Sequence, residues 1–452
     1  MDAHASGLTA RDLAVLWHPC GQMRDYRDFP PLEVVAASGC RITLADGREI
    51  LDAIASWWCK SLGHGHPRLR AALIGQADRF EHVILANTTN EGIVRLSERL
   101  CALANQGRAG RAAKVFYADN GSTAVEVALK LALQAQAQRG QPQRTRFAAL
   151  ANGYHGETVG ALSVGDCGLY KDTFAPLLFP TTMLGPLPYR SGPDDPRWQD
   201  ASAEWPAIER CLDGVAADLA GIVYEPILQG AGGMRVYSPD LLRRLRAWAD
   251  ARGVYLIADE IAAGMGRCGR MLAGHLAGID PDIAVVSKGL TGGYLPLAAV
   301  ITSDALYALF DAEFSERRAF LHSNTYAGNA LAVAVANATL DVYADEDVLG
   351  DVARNGPLLR AGLADLARTR PYLHGVRGIG MVAAVDIRSA AGAELDWRER
   401  TGYRVFRAAV ARGALLRPLG DTMYLFPPLN APRADLERMI AILGDSLDAV
   451  MR

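Results

Sequence analysis

Residues 254–293 read VYLIADEIAAGMGRCGRMLAGHLAGIDPDIAVVSKGLTGG. The runs VYLIADE and DIAVVSK are each strand-length and apolar almost throughout, and they end in charged side chains, Asp259 and Glu260 in the first and Lys288 in the second. A strand without polar alternation is covered on both faces, as in a parallel sheet packed between helices. Working outward, the same unit recurs at KVFYAD (114–119), RFAALAN (146–152), AGIVYE (220–225) and LAAVIT (297–302), with helical stretches between and Gly, Pro, Asp or Asn at the borders. The expected class is α/β, with a largely parallel sheet from about residue 91 to 302.

Upstream, residues 32–60 read as short strands around a turn at Asp46-Gly47, after which Gly63, Gly65 and Pro67 break the pattern. Downstream, the Ala-rich helix NALAVAVANATLDVYAD opens a smaller α/β part that continues through GMVAAVDI and MYLFPP. The stretch PYRSGPDDPRWQD at 188–200 reads as a long surface loop.

Composition narrows the function. With 50% hydrophobic and 21% charged residues among 452, the chain is ordinary globular material, too long for one typical domain. A net charge of -3 with scattered basic residues gives nucleic acid no electrostatic footing and favours small-molecule substrates. Seven cysteines, an odd number without C-x-x-C or Cys/His spacing, read as reduced thiols rather than a metal site. No signal-like leader and no apolar run of about 18 residues occurs, so a cytoplasmic, membrane-free protein is expected.

Only five basic residues are lysine (60, 114, 130, 171 and 288), against 42 arginines, so each retained lysine raises a question. Lys288 ends an apolar strand, where burial lowers an amine's pKa and fits it for imine formation, which a guanidinium cannot perform. A structural lysine is the alternative on position alone. Asp259 ends the neighbouring strand, where a carboxylate can keep a pyridinium nitrogen protonated, or simply cap a helix. Asn120, Gly121 and Ser122 lie between the strand KVFYAD and an apolar-periodic helix, a turn that suits phosphate and also suits ordinary capping. In NGYHGET, Tyr154 offers a flat face for stacking and His155 a polar neighbour. Phosphate turn, aromatic turn, strand-end Asp and strand-end Lys on one sheet edge are jointly a stronger signal than any one of them.

The segments YADNGSTAVEVALK, NGYHGET, YEPILQGAGGMR, IADEIAAGMGRCG and SKGLTGG resemble the class III aminotransferases, a fold-type-I family dependent on pyridoxal 5'-phosphate (PLP). The resemblance implies a large domain (61–330) and a smaller α/β domain built from both termini (1–60 and 331–452). It implies that Lys288 carries the cofactor as a Schiff base, Asp259 faces its ring nitrogen, Gly121 and Ser122 hold its phosphate, Tyr154 stacks on the ring and Glu225 lies nearby. It also implies a homodimer in which Asn324 and Thr325 reach the neighbouring subunit's phosphate, with Ser323 lining the substrate pocket. Trp57 becomes an apolar wall, Arg417 a clamp on a keto-acid carboxylate, and Tyr424 and Cys20 further pocket residues, Cys20 standing where a tyrosine is usual.

Within the family, WHPCGQM, ASWWCKSLGHGHP and RPLGDTMYLFPP are similar to the branch that aminates 8-amino-7-oxononanoate to 7,8-diaminononanoate in biotin synthesis with S-adenosylmethionine as donor. QMRDY, GGYLP and RPLGD are also similar to relatives that use lysine as donor. Glu157 replaces an aspartate, and Ser323-Asn324 a Gly-Pro pair. A general ω-amino acid aminotransferase would share the cofactor machinery, but the Trp pair and RPLGD argue against it; a PLP-domain regulator would carry a basic helix-turn-helix extension.

Overall fold

The computed structural model describes residues 7–107 and 110–451. Its centre is a seven-stranded sheet in the order Ala112–Ala118, Ala298–Ser303, Ile283–Val286, Tyr255–Asp259, Leu219–Tyr224, Arg146–Leu150 and Thr181–Leu184. Pairing is parallel from Ile283–Val286 through to Thr181–Leu184. Ala298–Ser303 runs antiparallel to both of its neighbours. The edge strand Thr181–Leu184, too short and too polar (TTML) to read as a buried run, is the member that hydrophobic periodicity missed.

Alternation across this sheet splits its apolar residues between two cores. Ile222, Tyr224, Leu256 and Ala258 pack on the side of helices Trp205–Asp213 and Pro239–Arg252. Val223, Ile257 and Val285 pack under helix Gly121–Gln138. Helix Ala330–Asp345, at the expected boundary between the parts, packs on helices Pro67–Ala77 and Glu91–Ala104 and places Val335, Val342 and Tyr343 in the core of the C-terminal part, so it bridges the two.

The N- and C-terminal segments share a sheet: Val34–Ser38, Arg41–Leu44 and Glu49–Asp52 pair in order, and Ala414–Leu415 joins Glu49–Asp52 in parallel. A second sheet, Leu373–Ile379, Val382–Ile387 and Thr422–Leu425, packs under helices Val348–Arg368, Thr401–Ala411 and Arg433–Met451. The 188–200 stretch is pinned rather than free, because the buried Arg190 guanidinium donates to the carbonyls of Arg197 and Asp200 and to Glu204.

Two buried arginines tie the outer sheet to the central one. Arg267 donates to the carbonyls of Met381 (2.9 Å) and Pro427 (2.6 Å), and its guanidinium lies 3.8 Å from the Phe426 ring centre. Arg377 pairs with Asp386 at 2.8 Å and donates to the Gly233 carbonyl at 2.6 Å, which fixes the glycine-rich turn beside the cleft. Because removal of one partner strands the other charge in a buried site, Arg377→Ala is expected to lower unfolding stability by about 3–5 kcal/mol in a denaturant titration.

Candidate active site

Parallel strands release their carboxyl ends toward a common crevice, the usual ligand position in open α/β sheets. Glu225 follows Leu219–Tyr224, Asp259 ends Tyr255–Asp259, and Lys288 stands just past Ile283–Val286. Asp259 and Val285 are in register on adjacent strands, so the backbone ladder sets the distance between acid and amine. The three side chains line a cavity of about 570 Å³ together with Gly121, Ser122, Tyr154, His155, Thr158 and Ile261.

One wall is the start of helix Gly121–Gln138. Asn120 caps it, its side chain accepting the Thr123 amide at 3.1 Å, while the Thr123 hydroxyl lies 3.3 Å from the Asn120 amide. Gly121 and Ser122 precede the first intrahelical donor, Ala124, so their amides lack helical acceptors, and both residues line the cavity at the positive end of the helix dipole. Gly121 lies close under Ile261, where an added Cβ would stand 2.8 Å from Cδ1 and push that side chain aside. The Ser122 hydroxyl is shared with Thr158, 2.8 Å from its Oγ1 and 3.0 Å from its amide.

The adjoining wall is the turn after Arg146–Leu150. The Tyr154 hydroxyl donates to Glu157 at 2.9 Å, and its amide donates to Glu225 at 3.0 Å. The second Glu225 oxygen accepts the Gly230 amide at 2.9 Å, so one carboxylate fastens both the aromatic turn and the glycine-rich turn. His155 Nδ1 lies 2.8 Å from Asp259 Oδ2, and the other Asp259 oxygen accepts the Ile261 amide at 3.1 Å. The His155 pairing turns Asp259 into an oriented acceptor; adjacency in NGYHGET hinted at it, and only the crossing of 104 residues completed it.

Burial sets the electrostatics. Desolvation pulls the Lys288 amine below its ordinary pKa, against the attraction of Asp259, Glu225 and Cys59. Lys288 also has a left-handed φ of 33°, a conformation kept only where surrounding structure enforces it. Desolvation pushes Glu225 up to about 7, with the Asp259 charge adding to it and His155 and the two amide bonds opposing.

A larger cavity of about 1380 Å³ opens onto the first, sharing Trp58, Tyr154, Glu157 and Lys288 with it. Cys20, Trp57, Arg417 and Tyr424 line this outer chamber. The Arg417 guanidinium sits 4.3 Å from the Trp57 ring centre, and its Nη2 donates to the Cys20 carbonyl at 3.1 Å. Tyr424 is buried, its hydroxyl accepting from Trp58 Nε1 at 3.1 Å, and the Trp58 ring lies 5.4 Å from the Lys288 amine. Residues 55–58 all have positive φ, between 46° and 74°, at roughly 1–2 kcal/mol each for non-glycine residues. Tyr170, which no motif singles out, also lines this chamber, its ring 6.2 Å from that of Tyr154.

Ser323, Asn324 and Thr325 line neither cavity of their own chain. They lie in a segment whose neighbours Phe314, Leu321 and Tyr326 are 100%, 91% and 62% exposed, and Asn324 Oδ1 is buried without a partner among the described residues.

A raised carboxyl pKa stabilises the fold fully below the unfolded value and is lost as pH rises through the folded one. Between about pH 4.5 and about 7 the melting temperature of the native protein should therefore fall relative to that of Glu225→Gln; a pH-independent gap between the two would contradict the shift.

Residues 22–447 match the family model described as aminotransferase class-III. The adenosylmethionine-8-amino-7-oxononanoate aminotransferase of Geobacter sulfurreducens is 39% identical over 443 residues, 96% of each chain. The crystal structure of the enzyme of that name from Methanocaldococcus jannaschii superposes with a TM-score of 0.90 at 30% identity, over 98% of this chain and 99% of that one. A PLP-bound amine transaminase from an uncultivated Pseudomonas species gives 0.89 at 33% identity, over 96% and 99%.

Proposed function

The chain belongs to the class III aminotransferases, PLP-dependent enzymes, and we propose that it aminates 8-amino-7-oxononanoate to 7,8-diaminononanoate on the route to biotin, with S-adenosylmethionine as donor. The observation that carries this reading is one continuous cleft with a desolvated lysine at its floor and a tryptophan-backed arginine at its mouth, in a chain matched end to end by relatives bearing that substrate's name.

The cleft residues fit PLP. A glycine closely covered by Ile261, the open amides of a helix start, a buried His155 Nε2 without a partner among the described residues, and a buried amine answer a phosphate, a ring and an aldehyde. In this reading Gly121 and Ser122 hold the phosphate, with Asn324 and Thr325 of a second copy; Asp259 faces the ring nitrogen, Tyr154 stacks on the ring, and Lys288 forms the covalent link. When bound, the cofactor supplies an electrophilic carbon that accepts the amino group and a cationic ring that withdraws electrons.

The protein's own contributions follow from its geometry. His155 holds the Asp259 carboxylate in place, so that negative charge is fixed at one end of the inner cavity. With the cofactor bound, Lys288 Nζ would move a proton at the substrate carbon that bears nitrogen; its lowered pKa makes a neutral amine accessible. Arg417 binds the keto-acid carboxylate bidentately, Ser323 of the second copy borders the same pocket, and Trp57 with the buried Trp58–Tyr424 pair keeps that side apolar. The two half-reactions use the site in turn, the first product leaving before the keto acid enters.

Lysine as donor is a second reading, carried by QMRDY and RPLGD, the segments similar to lysine-using relatives: Gln22, Asp25, Tyr26 and residues 417–421 line the outer chamber. We also propose a homodimer, because the exposed apolar segment around Ser323–Thr325 lies outside its own cleft. A cytoplasmic setting agrees with the seven free cysteines, and no helix among the described residues is long and apolar enough to cross a membrane.

Lys288→Ala should abolish turnover and the visible absorbance of the lysine-linked cofactor; retained turnover would sink the assignment. Arg417→Ala should raise the KM of the keto acid far more than that of the donor, and equal effects would remove its clamp role. Mixing the loaded enzyme separately with S-adenosylmethionine and with lysine, while following that absorbance, names the donor: conversion by lysine alone replaces the first reading with the second.

A further inference from the structure

The left-handed run Ala55–Trp58 needs something to hold it, since single residues visit this region and runs of them do not. The holding group is Asp52, a fully buried carboxylate outside both cavities. Its Oδ1 accepts the Ser56 amide at 3.0 Å and the Ile54 amide at 3.4 Å. Its Oδ2 accepts the Ser56 hydroxyl at 2.7 Å and lies 2.9 Å from His64 Nε2, which is itself 3.3 Å from Ser56 Oγ.

Both ends of this network are anchored in backbone. Asp52 closes the strand Glu49–Asp52, opposite Leu415, with its amide on the Cys40 carbonyl at 2.7 Å. His64 exchanges two backbone hydrogen bonds with Gly39, at 2.8 and 2.9 Å. Burial would raise the Asp52 carboxyl, but the bonds from His64 and Ser56 outweigh it and hold it below its usual range, so the acceptor is ionised throughout neutral pH.

We propose that Asp52 and His64 are positioning residues: through Ser56 they hold residues 55–58 in the left-handed region, and so fix the Trp57 ring on which Arg417 rests. The inference deepens the reading of Arg417 as the carboxylate clamp and rests on it. Trp57 is 40% exposed and only half supported by packing, so its direction is set by the backbone beneath it. The guanidinium above it gains a flat, partly desolvated platform that narrows its rotamers before a carboxylate arrives.

The test uses the PLP-loaded enzyme and the variants Asp52→Asn and His64→Gln, the second of which leaves Asp52 its Ser56 bonds should the first fold poorly. Acrylamide quenching of Trp57, taken as the difference between each protein and its Trp57→Phe counterpart, should increase in both variants; unchanged quenching overturns the proposal whatever the kinetics show. The keto-acid KM should rise about tenfold with kcat within about threefold, and this rise should vanish in an Arg417→Ala background. Independent multiplication of the two effects would instead make Asp52 a general stabiliser and overturn the proposal. If Arg417→Ala alone leaves the keto-acid KM unchanged, the clamp reading of Arg417 fails, and the route from Asp52 to substrate binding fails with it, while the quenching still reports whether the run is held.

Discussion

Keeping a lysine amine out of water is the constraint on which the rest of this molecule depends. Burial alone disfavours the charged form of Lys288, and the acids that answer it, Asp259 and Glu225, are themselves buried and must be held by partners of their own. Asp259 has His155 and the Ile261 amide; Glu225 has the amides of Tyr154 and Gly230. Each satisfied acid therefore fastens a turn, and those turns are the walls of the cleft. Charge compensation and cavity shape are one arrangement seen from two sides.

The mouth of the cleft is governed by a different bond pattern. Leu415 pairs with Asp52, five residues before Trp57 and two residues before Arg417, so a two-residue parallel contact brings side chains 360 positions apart in sequence within stacking distance. The outer sheet that carries Thr422–Leu425 is pinned to the central one by Arg267 and Arg377, which donate to carbonyls across the junction. An arginine buried in this way satisfies main-chain oxygens that water cannot reach, at the cost of desolvating a charge: burial lowers Arg267 to about 9.

At the donor end Glu157, held by the Tyr154 hydroxyl, lines the outer chamber. Both proposed donors carry a net positive charge, so this acid serves either, and the volume beside Cys20 is the feature on which they differ. Across a second copy, the segment carrying Ser323, Asn324 and Thr325 would complete the phosphate end, consistent with its exposed aromatic and aliphatic neighbours.

The class of the fold and the floor of the site are written in local pattern: uninterrupted apolar strands demand cover on both faces, and a charge at the end of such a strand emerges at the sheet edge. Lys288 and Asp259 were legible for that reason, Gly121, Ser122 and Tyr154 from the turns that follow strands, and Glu225 only through the family resemblance; all six line the inner cavity. The edge strand Thr181–Leu184 was not, since only Leu184 of its four residues is buried and they carry no period. Nor were the pairing of His155 with Asp259, the stacking of Arg417 on Trp57, or the convergence of Ser56 and His64 on Asp52. Those were decided only by tertiary structure, because a hydrogen bond or a ring contact between distant residues depends on register and crossing of elements, and side-chain type along the chain does not encode which partner lies across the gap.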